Sequence, residues 1–325
     1  MRVVQVKEDS PMRDLFVGEA AAPLCGDSQV LIAVHAAGVN RADLMQRAGK
    51  YPPPPGASPI LGLEVSGTII KVGPAVSGHS TGERVCALIA GGGYAETVAV
   101  PAAHVMRLPQ NLSFEEGAGL PEAFITAFVN LFQEGELKAN EKVLIHGGSS
   151  GVGTAGIQLA KVAGAHVACT VGNKIKAAAC TKLGAEVAID YKQEDFVEAA
   201  RNWSPGGVDL ILDCVGGEYL QRNVSLLANK GRLVMIASMG GATGVLDIPQ
   251  IMKRRARVVG SVLRSRSDAE KGSIIAAFAE RFLPLFASGE LKVVVDTTIA
   301  LEKADDAHAR MRLSEHIGKI VLKVR

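Results

Sequence analysis

The stretch VLIHGGSSGVG, residues 143–153, runs an apolar segment straight into glycine and serine. Val143, Leu144 and Ile145 read as a strand, Gly148-Ser149-Ser150-Gly151-Val152-Gly153 as a turn, and TAGIQLAKVAG as the helix that follows. Glycine permits a tight turn and lets the backbone approach a ligand closely, because no Cβ stands in the way. The helix start offers unpaired N–H groups and about half a positive charge, which favours an anion there. The loop departs from the strict G-x-G-x-x-G fingerprint, since Ser150 stands in the second glycine's place. A bare strand–helix turn is the competing reading. The strand–helix units downstream favour the diphosphate of a dinucleotide.

Those units are EKVLIHG, AHVACTV, AEVAID, VDLILDCVG, GRLVMIAS and RVVGSVL, read as strands. VGTAGIQLAKVAG, KIKAAACTKLG and LQRNVSLLANKG are the helices between them, with Gly164, Gly184 and Gly231 as C-terminal caps. Several strands are continuous apolar runs, as in a parallel sheet covered on both faces. Upstream lie short apolar segments broken by glycine and proline, among them VLIAVHAAGV, LGLEVSGTIIKVG, RVCALI and YAETVAV. That texture predicts a mainly β domain. After about Arg266 a helical piece, GSIIAAFAERFLPLFASGEL, leads to IGKIVLKV, a strand expected to return to the first domain. The fold class is α/β: residues 1–122 with 266–325 form the mainly β domain, and 123–265 a doubly wound parallel sheet. A length of 325 residues with 48% hydrophobic content suits two cores.

Ligand discrimination is read after the second strand. Folds that prefer NAD place an Asp or Glu about 20 residues beyond the loop, on the adenosine ribose. Here the chain has TVGNKIKAA: Gly172, Asn173 and Lys174, with no carboxylate. Lys174 and Lys176 are cationic, and hydrogen bonds to charged groups contribute about 1.5–3 kcal/mol each. One or two such bonds to a 2′-phosphate give at least a roughly tenfold preference for NADPH. The competing reading is two solvated helix lysines.

The remaining composition excludes several classes. A net charge of +2 points to neither nucleic acid nor an anionic membrane. No run nears the roughly 20 apolar residues of a membrane helix, and charges interrupt MRVVQVKEDSP early. The chain reads as soluble and cytoplasmic. Cys25, Cys86, Cys169, Cys180 and Cys214 are odd in number and form no C-x-x-C pair, so neither a disulfide framework nor a clustered zinc site is expected.

NRADLMQRAGKYPPPPGASPILGLEVSG, residues 40–67, together with GGSSGVGTAGIQLAK, LILDCVGG, VVGSVLRSR and IGKIVL, resembles the zinc-independent quinone oxidoreductases of the medium-chain dehydrogenase/reductase superfamily. The resemblance is closest to the p53-inducible and zeta-crystallin-like group. It implies a GroES-like catalytic domain joined to a Rossmann domain, with nicotinamide in the cleft between them. Zinc-bearing relatives carry a Cys and a His-Glu pair where this chain has Asn40 and Leu63-Glu64. Neither Asn40 nor Leu63 suits zinc, so the resemblance implies a metal-free protein with Glu64 as a structural carboxylate.

Asn40 and Tyr51 match polar positions lining the nicotinamide and quinone pocket; they would orient cofactor and substrate, with Tyr51 or water assisting protonation. A helix cap at Asn40 and ring packing at Tyr51 stand as alternatives. Other carried-over positions for the cofactor are Thr126, Tyr191, Cys214, Val215, Ser238, Leu263 and Arg264. AGGGYAE is expected to form a hairpin, and His146 to be a hydrogen-bonded core residue.

The implied function is NADPH-dependent reduction of a small quinone. Reduction of a 2-alkenal or enone double bond is the enzymatic rival. An NADPH-bound sensor, or an RNA binder using the basic run KRRAR at Lys253 to Arg257, is the rival from another class; no aromatic residue interleaves that run for base stacking. The strand RVVGSVL, near 257–263, resembles a dimerisation edge and implies a homodimer.

Overall fold

Alternating burial shapes the first part of the chain. The computed structural model describes Met1–Arg325, which divide into two units: Met1–Ile125 with Leu263–Arg325, and Thr126–Val262. Both boundaries fall a few residues from those read in the sequence.

In the first unit β1 (Arg2–Val6) pairs antiparallel with β2 (Leu15–Glu19). β3 (Gln29–Val39) buries Val30, Ile32 and Val34 completely while the residues between them are only partly covered, the period of a strand with one face on a core. α1 (Arg41–Arg47) follows, then β4 (Glu64–Val72), β5 (Arg84–Leu88), β6 (Thr97–Pro101), β7 (Val105–Arg107), α2 (Phe114–Ala118) and α3 (Pro121–Phe128).

The second unit contains β8 (Lys142–Ile145), α4 (Gly151–Val162), β9 (His166–Val171), α5 (Lys174–Leu183), β10 (Val187–Asp190), α6 (Phe196–Trp203), β11 (Val208–Asp213), α7 (Tyr219–Leu226), β12 (Leu227–Met235), α8 (Ile248–Arg254) and β13 (Arg257–Gly260). Its strands are all parallel, in the order β10-β9-β8-β11-β12-β13. The order reverses at β8, so the C-terminal end of β8 is the place where an open α/β sheet binds a ligand. The chain then adds α9 (Asp268–Ala287), β14 (Val295–Ala300), α10 (Ala304–Leu313) and β15 (Lys319–Lys323). β15 pairs with β14 and β3, closing the sheet β14-β15-β3-β4-β5-β7 of the first unit.

Two local expectations are corrected. The helix read through Gly231 stops at Leu226; Gly231 lies inside β12, after Lys230 in the left-handed region (φ 61) and beside an irregular register against β11. Leu227 and Leu233 are buried, so tertiary packing draws this stretch into the sheet against its helical spacing. AGGGYAE is no hairpin: the amides of Gly92, Gly93 and Tyr94 donate to Ile60, Gly62 and Leu61, binding the segment to a distant loop.

Candidate functional site

On β8 Val143, Leu144 and Ile145 are wholly buried, which fixes the glycine loop at the sheet's end. Gly147 adopts the left-handed region (φ 69), Gly148 donates its N–H to Thr170 O at 2.9 Å, and Ser150 donates to Gly147 O at 2.9 Å. Ser150 caps α4, its Oγ accepting from the N–H of Gly153 at 3.0 Å. This explains the serine in the second fingerprint position: it satisfies the third helical amide. The amides of Gly151 and Val152, the first two of the helix, have no carbonyl one turn back. A Cβ on Gly148 would come within 2.6 Å of Cys169 Sγ, and one on Gly153 would overlap the carbonyl oxygen of Gly147. Bare backbone and two amides at a helix start fit an anion of diphosphate size.

The neighbouring strand ends complete this side of the sheet. Cys214 Sγ lies 3.5 Å from His146 O, below the loop, and Val215 donates its N–H to Asp213 at 2.7 Å. Ser238 follows β12 and sits against Gly216. His146 is buried between Thr170 Oγ1 at 3.1 Å and Asn223 Oδ1 at 2.8 Å; burial lowers its pKa and keeps it neutral. Thr126 opens the second unit, its carbonyl accepting from Asn130 Nδ2 at 2.7 Å where the helix widens to a π-turn over Val129–Glu134.

After β9, Asn173 caps α5 by accepting the N–H of Lys176 at 2.9 Å, and Lys174 is exposed. Tyr191, 46% exposed, donates its N–H to Val171 O at 3.1 Å. A Cβ at Gly172 would lie 3.0 Å from the Tyr191 hydroxyl and 3.6 Å from Lys192 Cε, so these three residues meet. Lys192 was missed; its place beside Tyr191 was the available signal. Lys176 differs from the expectation of a solvent-facing cation. It is buried on the face that carries Cys180, because helical spacing turns position 176 inward while 174 points out.

Leu263 and Arg264 open the last segment of the first unit. Leu263 is buried. Arg264 donates to Ala90 O at 2.7 and 2.9 Å, to Gln46 Oε1 at 2.6 Å and to Tyr51 O at 3.3 Å, and its guanidinium lies 5.1 Å over the Tyr51 ring. Burial and the nearby Glu122 raise the Tyr51 phenol above its ordinary value.

The same unit holds a charged cluster that sequence reading largely missed. Glu64 on β4 is wholly buried and accepts from Asn40 Nδ2 at 2.9 Å, Lys319 Nζ at 2.6 Å and the N–H of Glu122 at 2.8 Å. Lys319 also donates to Asn40 Oδ1 at 2.6 Å and Val39 O at 3.0 Å. The Asn40 side chain is thereby held on Glu64 and Lys319, while Asp43 Oδ2 returns to the Asn40 N–H at 2.7 Å. Asp43 also accepts from Gly62 and Tyr94, and Tyr94 reaches His308 Nε2 at 3.2 Å. Burial pushes Asp43 up to about 6 and His308 down to about 3. Burial, with the Glu64 carboxylate next, pushes Glu122 up to about 8. In KRRAR, Arg254 and Arg255 donate to Ser225 O and Asn229 Oδ1, and Arg257 pairs with Glu136 at 2.8 Å.

A nucleotide-type loop on a doubly wound sheet, in a chain that also folds a separate β unit with a buried Glu–Lys–Asn cluster, is the frame of a medium-chain dehydrogenase. Family models agree: residues 26–110 match the alcohol dehydrogenase GroES-like domain and 151–280 the zinc-binding dehydrogenase. The chain is 30% identical over 317 residues to the human synaptic vesicle membrane protein VAT-1 homolog, covering 93% of this chain and 81% of that protein. It is 32% identical over 315 residues to the Danio rerio homolog, but spans only 65% of that relative's length. Among solved structures it resembles Escherichia coli quinone oxidoreductase complexed with NADPH (TM-score 0.88, 27% identity, 99% of each chain). CurK enoyl reductase is similar too (TM-score 0.87, 25% identity, 100% of this chain and 99% of that one). The chain belongs to the zinc-independent quinone oxidoreductase-like family of medium-chain dehydrogenases/reductases, with a GroES-like and a Rossmann domain.

The residues present do not fit zinc, despite the second model's description. Where zinc-bearing relatives have thiol and imidazole, Asn40 offers an amide already hydrogen-bonded on both atoms, and Leu63 lies in the core. Glu64 is neutralised by the Lys319 ammonium, so the cation of this cluster is part of the chain.

Proposed function

We propose that this protein is an NADPH-dependent reductase that passes reducing equivalents to a small quinone without a metal. The observation that carries the reading is the end of β9, where Gly172, Asn173 and Lys174 stand without a carboxylate and Lys192 and Tyr191 close in from β10. Bound there, NADPH would supply the hydride. The amides of Gly151 and Val152 would take the diphosphate, and Lys174 and Lys192 the 2′-phosphate, with Tyr191 flanking the adenosine. Cys214, Val215, Ser238 and Thr126 are proposed along the rest of the dinucleotide. The similarity to a quinone oxidoreductase complexed with NADPH supports this choice.

In the first unit Tyr51 is proposed to hold the acceptor's oxygen, with Arg264 fixing the Tyr51 ring from above. Asn40 keeps one amide N–H beyond its bond to Glu64, and Lys319 and Glu64 hold that amide in one orientation. Reduction of an enone double bond is the second reading, favoured by the likeness to an enoyl reductase. Fluorescence titration with NADPH and NADH, then turnover on a quinone panel and a 2-alkenal, tests both. At least about tenfold tighter NADPH binding is expected; equal affinity ends the cofactor reading, and the faster acceptor ranks the two substrates.

We also infer a homodimer. β13 ends the second unit's sheet with Val258 38% exposed, and an apolar edge strand favours pairing with its own kind. Solution scattering should give twice the chain mass, and Val258→Lys should halve it.

A further inference from the structure

Glu64 and Glu122 meet in the first unit, the Glu122 N–H donating to Glu64 Oε2 at 2.8 Å, and only Glu64 is paired with a cation. Lys319 sits 2.6 Å from Glu64, and its other hydrogen bonds go to Asn40 and Val39. Arg264 is the second cation within electrostatic reach, and its donors are directed at Ala90, Gln46 and Tyr51. Asp43 adds a further negative group from α1. Glu122, on the first turn of α3, holds Glu64 through its main-chain N–H, and its own carboxyl makes no hydrogen bond to any group of the chain. Burial first, and the charge of Glu64 next, favour the proton on a Glu122 carboxyl that has no bonded cation, since the one ammonium at hand is committed to Glu64. A neutral carboxylic acid then carries an O–H donor with no acceptor in the chain, close enough to Tyr51 for the Glu122 charge to bear on that phenol.

We propose that Glu122 is the proton donor of the reduction, giving its carboxyl proton to the acceptor as the hydride arrives. The inference rests on the reductase reading above. For an enone, hydride from the reduced nicotinamide adds to the β-carbon and the electron pair of the double bond moves toward the α-carbon and oxygen. The Glu122 O–H bond breaks and its proton completes the saturated carbonyl. For a quinone, the same proton goes to the oxygen that takes up the electron pair. The Glu122 carboxylate regains a proton from water, so one NADPH and one proton are consumed per acceptor reduced.

Full-length wild type, Glu122→Gln and Glu122→Asp test it by two readouts. Infrared difference spectra of ligand-free protein across pH 5–9 should show a protonated-carboxyl band fading with a midpoint near about 8 in the wild type and absent from Glu122→Gln. With NADPH and either acceptor, Glu122→Gln should lower kcat by at least about 100-fold with little change in KM, and lose the alkaline fall in rate; Glu122→Asp should recover part of both. A brace with no proton to give would leave the alkaline limb in place. An equally active Glu122→Gln beside an active wild type overturns this inference alone, as does a Glu122 already ionised at pH 7. A wild type that reduces neither acceptor removes both readings together.

Discussion

The glycine loop and the Glu64 cluster are built in opposite ways. The loop is a run of consecutive residues, uncharged, whose fit depends on missing side chains and on backbone N–H groups. The cluster is charged and gathers Asn40, Glu64, Glu122 and Lys319 from four separate stretches. The loop should therefore fail by steric overlap and the cluster by uncompensated charge. Substitutions can separate these two kinds of failure.

The largest effect is expected in the cluster. Lys319→Met leaves Glu64 as a buried carboxylate without its ammonium, which costs about 3–5 kcal/mol in comparable buried pairs. Glu64→Gln with Lys319→Met should recover most of that loss, because no charge is then stranded. Denaturant unfolding measures both. A single variant within about 1 kcal/mol of wild type would show that Glu64 does not depend on this cation. In the loop, Gly153→Ala forces a methyl onto the Gly147 carbonyl and should cost about 1–3 kcal/mol, the range for overpacking. Dinucleotide binding should weaken with it, and the deficit should be the same at every pH between 5 and 9, unlike any variant of the cluster.

The contrast also explains what could be read in advance. The strand–loop–helix of residues 143–162 and the parallel sheet were legible because period, glycine and caps are local signals. Lys174 and Lys176 looked alike in sequence, yet only a helical wheel anchored to the sheet tells that one is exposed and the other buried. Lys319, about 280 residues from Asn40, carries no local mark at all; its role exists only because β15 pairs with β3. Arg264 was legible only as a residue following the last strand of the nucleotide sheet; that its donors serve the loop around Ala90 and Tyr51 depends on contacts 174 and 213 residues away in sequence.

A smaller effect sharpens the reading of the adenosine end. Lys174→Ala and Lys192→Ala should each weaken NADPH by about tenfold, near 1.4 kcal/mol, while leaving NADH nearly unchanged. Raising salt should narrow the difference, since both lysines are exposed. Equal losses for the two coenzymes would move the phosphate elsewhere.

The smallest effect is a pH dependence. Glu122 holds its proton more tightly when folded, so its contribution to stability is present below the ordinary carboxyl range, near 4.5, and disappears as pH rises through about 8. Asp43 acts with the same sign between 3.8 and about 6. His308 acts with the opposite sign: its burial as the neutral form stabilises above 6.5 and is lost as pH falls toward about 3. Only Glu122 therefore titrates between pH 6.5 and 8 among these three groups. Glu122→Gln should match wild type at pH 4.5 and exceed it at pH 8.5 by about 1 kcal/mol, a figure reduced because solvent screens a partly exposed carboxyl. Thermal melts across that window decide it. If the two proteins lose stability in parallel from pH 6.5 to 8.5, the charge surplus lies on another group and Glu122 is ionised like any surface glutamate.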